Sequence, residues 1–133
     1  MIYYIKLYFA TLVVFFAIDM VWLGVISRTF YKKHLGYLMA PEVNWYAALI
    51  FYFLFIVGVL VFVVIPGIRE NNLPVMLLRA AFFGLITYAT YDLTNLATVK
   101  DWPLVITLVD LLWGMVLTSL VSMAGFFIGR WMA

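Results

Sequence analysis

Four runs of nearly uninterrupted apolar residues, at about 7–27, 45–65, 75–98 and 103–128, alternate with short polar connections. Crossing a bilayer as a helix takes about 20 apolar residues, and all four runs are long enough. Backbone groups cannot go unpaired in lipid, so each run is expected as a helix. Barrel strands alternate apolar and polar positions, and these runs do not, which excludes a barrel. The expectation is one domain over 1–133, an all-α integral membrane fold with four transmembrane helices.

The connections add detail. In 28–44, Phe30, Tyr31, His34, Leu35, Leu38 and Met39 recur at helical spacing, with Arg28, Lys32 and Lys33 on other faces. This predicts a short interfacial amphipathic helix after the first span. Pro41 suits the start of the second helix, where its missing N–H costs nothing. Residues 66–74 read as a plain polar turn. The third connection is only a few residues, which makes the last two helices a tight antiparallel hairpin. Lys6 precedes the first apolar run as in a signal peptide, but no small-x-small site follows, so a retained span is expected.

Composition agrees: of 133 residues, 68% are hydrophobic and 11% charged, with a mean hydropathy of +1.16. A soluble domain exposes far more charge. The chain has no cysteine, which excludes disulfides and thiolate metal sites. A net charge of +2 with scattered cations does not suit nucleic acid. The expected partners are membrane lipids and further copies of the chain, because a lone four-helix unit leaves little room for a pathway. Lys6, Arg69, Arg79 and Arg130 fall on one side, and Arg28, Lys32, Lys33 and Lys100 on the other. The positive-inside rule therefore assigns no orientation.

The chemistry lies in three acids within the spans, Asp19, Asp92 and Asp110. Counted from the helix ends, all three fall roughly 9 to 12 Å inside the same membrane face. Facing lipid, each would cost about 2.5 to 3.5 kcal/mol, so the three are expected to face inward together. Clustered carboxylates in a poorly solvated site cannot all ionise, so they require shared protons or a cation. Arg79 is roughly 20 Å from Asp92 along the helix, too far to serve. Lys100 and the basic first loop are the other sources of counter-charge. Gly84, Tyr88, Asp92 and Asn95 share one face of the third helix, beside Thr87, Tyr91 and Thr94. Thr107, Asp110, Gly114, Thr118 and Ser122 form a small, polar stripe on the fourth, of the kind that marks helix contact in membranes. The second helix has little polarity beyond Tyr46 and Tyr52 and is expected at the lipid edge.

The candidate binding residues are Asp19, Trp22, Tyr88, Tyr91, Asp92, Asn95, Asp110 and Trp113. If the protein is an enzyme, the three aspartates are also its candidate acid–base groups. Asp19, Asp92, Asn95 and Asp110 make an all-oxygen set that would suit Mg²⁺, Ca²⁺ or Mn²⁺ better than Zn²⁺, although no recognised ligand spacing supports a metal. With no cysteine and no histidine in the spans, nucleophilic triads are discounted; the chain scarcely offers a haem axial ligand, and no nucleotide motif is present, so neither haem nor a nucleotide is expected. Plainer readings stand beside these. An intramembrane aspartate can simply bond a neighbouring helix, Trp22 and Trp113 can be packing or interface anchors, and His34 can be solvated or on a lipid phosphate. Lys100–Asp101 reads as a turn ion pair.

The stretches Asp19-Met20-Val21-Trp22-Leu23-Gly24, Tyr91 to Thr98 followed by Lys100-Asp101-Trp102-Pro103, and Asp110-Leu111-Leu112-Trp113-Gly114 resemble a bacterial family of small four-span membrane proteins catalogued as a domain of unknown function. The resemblance covers the whole chain. It implies the four-span fold and a multi-pass place in the bacterial inner membrane, and it implies no activity. The functional expectation is a membrane protein whose three-aspartate site binds protons or a cation, as a small transporter would. The alternatives are a membrane enzyme or accessory subunit acting on acyl lipids, and a structural or partner-binding protein.

Overall fold

The computed structural model describes residues 1–133, and every regular element in it is helical. Four helical stretches, Ile2–Leu38, Trp45–Glu70, Leu73–Thr98 and Leu104–Met132, are long and apolar enough to cross a membrane. The protein is an all-α, four-span membrane protein.

The first stretch runs without a break for 37 residues. Helix α1 (Ile2–Val21) passes through a π-helical turn, Trp22–Ile26, into α2 (Ser27–Leu35), and a 3₁₀ turn, Gly36–Leu38, ends it. The amphipathic helix is thus a continuation of the first span rather than a separate piece. A π turn holds one more residue than an α turn, so it resets which face of α2 looks inward. Apolar periodicity alone does not reveal such a reset.

The second span begins later than Pro41. Helix α3 (Trp45–Val59) is capped by Asn44, whose side chain accepts from the Ala47 N–H at 3.2 Å. A second π turn, Leu60–Val64, leads into α4 (Ile65–Glu70). Pro66 offers no N–H and its ring crowds the carbonyl four residues back, that of Phe62, so a widened turn there lets the helix continue. The polar turn expected over 66–74 therefore shrinks to two asparagines. Asn71 ends α4 in the left-handed region at φ 50°. Asn72 then caps α5 (Leu73–Thr98) by accepting from the Val75 N–H at 3.2 Å.

A five-residue connection joins α5 to α6 (Leu104–Met132). Within it Asp101 takes a positive φ of 59°, and Trp102 folds back to be buried. The Trp102 indole N–H donates to Thr107 Oγ1 at 3.0 Å, and that hydroxyl donates in turn to the Asp92 carbonyl at 3.4 Å. Tyr37 donates to the Asp101 carbonyl at 2.6 Å. The Lys100–Asp101 ion pair expected from the sequence does not form; the chain's one ion pair is Arg79–Glu70 at 3.0 Å, on an exposed surface at the other end.

The core draws on the second span as well. Ile56, Val59, Val63 and Val64 are fully buried, packed with Leu7, Phe15, Leu117 and Val121 from α1 and α6 or with Met76 and Phe126. One face of the span thus serves the core, while Trp45, Tyr46, Ile50, Val61 and Phe62 on its other faces stay exposed, as a span at the lipid edge requires. Each span keeps one outward apolar face, marked by the exposed Val13, Leu54, Leu78 and Leu112.

Candidate functional site

Helices α5 and α6 pack most intimately, and glycine is the reason. A Cβ on Gly84 would run into the Gly114 carbonyl oxygen and the Thr118 hydroxyl. Close backbone approach between small residues brings Asp92 of α5 and Asp110 of α6 to near-neighbour positions. The small, polar stripe on α6 is buried throughout: Thr107, Asp110, Gly114, Thr118 and Ser122 all face other helices.

Helix α1 brings the third acid. Asp19 is 7% exposed, as is Asp110, and Asp92 is fully buried. All three line one cavity of about 540 Å³. An aspartate and a tryptophan three residues apart lie on the same helical face, and α1 and α6 run in opposite directions. The two Asp-x-x-Trp segments therefore meet head to tail. The Trp22 and Trp113 rings stack at 4.1 Å with 7° between planes. Asp19 has Trp113 and Tyr52 as its polar neighbours. Beyond the stack, Tyr31 packs edge-on to Trp22 at 6.3 Å, and its hydroxyl donates to Asp110 Oδ1. The repeated motif is one reciprocal contact, which accounts for it without a duplication.

Most of the residues singled out in the sequence come together here. Asp19, Trp22, Tyr88, Tyr91, Asp92, Asp110 and Trp113 all line the cavity. Asn95 does not; it sits a turn beyond Asp92, and its carbonyl accepts from the Val99 N–H at the end of α5. Six lining residues are not among those candidates: Leu23, Ala48 and Thr87, and three aromatic ones. Tyr31 belongs to the expected interfacial helix, and Phe51 and Tyr52 to the span expected at the lipid edge. The π turn at Trp22–Ile26 hides the first, and the uniformly apolar second span hides the others. His34 stays apart, its Nδ1 2.9 Å from the Phe30 carbonyl of its own helix.

The electrostatics are one-sided. No lysine, arginine or histidine lines the cavity. Both carboxylate oxygens of Asp92 are buried without a hydrogen-bond partner, and so is the Trp113 indole N–H. No three His, Cys, Asp or Glu side chains lie close enough together to hold a metal ion. Thr87, the one aliphatic hydroxyl on the wall, donates to the Phe83 and Gly84 carbonyls of its own helix, and no base stands beside it. The walls otherwise are apolar or aromatic. Leu23, Phe51 and Tyr91 are exposed while lining the cavity, so it opens onto the flank of the bundle. Carboxyl and phenol groups set among aromatic walls can accept, hold and pass protons, and can meet a ligand that is part cationic and part apolar.

Residues 4–127 match the family described as "Predicted membrane protein (DUF2177)", and the chain belongs to it. No curated protein matches the chain, and no solved structure does.

Proposed function

We propose, taking membership of this family as the premise, that the chain is a small proton-coupled membrane transporter whose working site is the aspartate cavity. The observation that carries this reading is the meeting of Asp19, Asp92 and Asp110 in one cavity without a basic residue on its wall. Intramembrane acids without a cation to pair with are kept at a cost, and proton relays are among the functions that retain them. Protons shared among the three relieve the charge that clustered carboxylates would otherwise carry. A metal is the weaker choice, since no metal-holding group of side chains is present. The reading also places the protein in the bacterial inner membrane as a multi-pass homo-oligomer, because four spans around one cavity leave little protein for a complete pathway.

The experiment is a pH jump on the detergent-solubilised protein in weak buffer, counting released protons with a pH dye. The parent is expected to release protons that Asp19→Asn and Asp110→Asn each fail to release in full. Identical proton counts in parent and both variants would remove the reading.

A second reading, an enzyme or accessory subunit acting on acyl lipids, draws on a hollow lined by Arg28, Thr29, Lys32 and Lys33 beside Tyr31. That basic hollow suits a lipid phosphate at the membrane surface. Acyl chains copurifying with the protein, and lost in a Lys32→Gln, Lys33→Gln variant, would move this reading ahead.

A further inference from the structure

The cavity contains more than a proton site needs. Its volume, about 540 Å³, falls within the range of about 300 to 1,000 Å³ typical of sites for whole organic ligands. Seven aromatic side chains line it, among them the stacked Trp22 and Trp113, Phe51 and Tyr52. Aromatic faces attract cations through the ring quadrupole, most strongly where water is excluded. Phenyl and indole walls without acids would suit any apolar guest, and acids without rings would suit a hydrated metal ion. Here the two occur together, with no basic residue to neutralise the acids. Tyr31 already occupies one oxygen of Asp110, whereas the fully buried Asp92 carboxylate has no partner at all. An anionic guest such as a fatty acid would meet three carboxyl groups and no counter-charge. A small, strongly hydrated cation would lose water to rings that cannot replace it. What fits is a weakly hydrated positive charge on an apolar body.

We propose that the cavity binds a lipophilic organic cation, a substituted ammonium or similar onium group carried on an aromatic or alkyl body, and that this cation is the solute exchanged for protons. The exchange rests on the reading of the aspartates as a proton site; the binding does not. The onium group would sit among Asp19, Asp92 and Asp110, with the Trp22–Trp113 stack and Tyr88 beside it. The apolar body would lie toward Phe51 and Leu23, where the cavity opens onto the bundle's flank. Cation and protons then compete for the same three carboxyl groups. The other titratable groups facing them are the phenols of Tyr31, Tyr52, Tyr88 and Tyr91.

The test is a titration of the protein in lipid nanodiscs, followed by tryptophan emission and by calorimetry. The ligands are benzyltrimethylammonium, its uncharged carbon isostere neopentylbenzene, and decanoate. The cation is expected to bind saturably and about tenfold or more tighter than the isostere, as charge–ring and charge–carboxylate attraction require. Asp19→Asn and Asp110→Asn are expected to weaken the cation by about tenfold each and to leave the isostere unchanged. If either variant fails to fold, acidifying the parent gives the same readout, because protons should displace the cation. Equal binding of cation and isostere would overturn the proposal. So would tighter binding of decanoate, or cation binding that responds neither to substitution nor to acid. Proton release in the pH jump without cation binding would sink this inference alone. Cation binding that never releases a proton would keep the site and remove the exchange.

Discussion

Gly84 and Gly114 set how closely α5 and α6 approach, and Tyr31 sets how Asp110 is held. At Gly84 the obstacle to a Cβ is the Gly114 carbonyl, which is backbone and cannot swing away. Gly84→Ala is therefore expected to cost about 2 kcal/mol by overpacking, read as a lower midpoint of unfolding in detergent. Gly24, with nothing within 4 Å of its would-be Cβ, is the contrast; Gly24→Ala is expected to change stability by no more than about 1 kcal/mol and in the stabilising direction. Equal losses at the two positions would mean that the helices are not in backbone contact. Tyr31 donates to Asp110 from another element, and Tyr31→Phe is expected to cost about 1 kcal/mol as the hydrogen bond is lost. The aspartates and tryptophans were legible from their residue types and positions in the spans. Tyr31 was not, because a tyrosine on an amphipathic segment gives no sign of which helix its hydroxyl will reach. Asn95 shows the converse: helical spacing put it on the aspartate face, yet one turn carried it past the cavity.

The π turn at Trp22–Ile26 is the device that turns a long first helix into part of the site. It carries Trp22 into the stack with Trp113 and rotates α2 so that Tyr31 meets Asp110. Val25 is exposed within the turn and packs nothing the site depends on. Deleting it should restore an α turn and rotate α2 by about 100°, taking Tyr31 off Asp110. The expected result is non-additive: Tyr31→Phe, costly in the parent, should cost nothing further in the deletion background. The same loss in both backgrounds would show that the turn does not position Tyr31. The second π turn, Leu60–Val64, has a cause the sequence does contain, namely Pro66 two residues on. Even so, Pro66 and Gly67 together read as a break, and the helix runs on to Glu70. Proline marks a disturbance of the helix ladder without saying whether the chain will turn or widen.

Four apolar runs were enough for the four spans, because lipid leaves a continuous apolar segment no alternative to a helix. The order of packing was less legible. A span without polar residues is compatible with either lipid or a protein interior, and here Ile56, Val59 and Val64 go to the interior. The two Asp-x-x-Trp segments would repel duplication as an explanation on direction alone, and it is that same antiparallel direction that lets their tryptophans stack. At this level the protein is a bundle with apolar flanks, a basic hollow at Arg28–Lys33, and one acidic, ring-lined cavity opening sideways.

The measurement to make first is infrared difference spectroscopy of the protein in bilayers across pH, with the carboxyl C=O stretch followed in the parent and in Asp19→Asn, Asp92→Asn and Asp110→Asn. If the three aspartates share protons in one cavity, each single substitution should remove one contribution and shift the pH response of the two that remain. Bands that titrate independently, each variant losing its own and leaving the others untouched, would contradict a shared site.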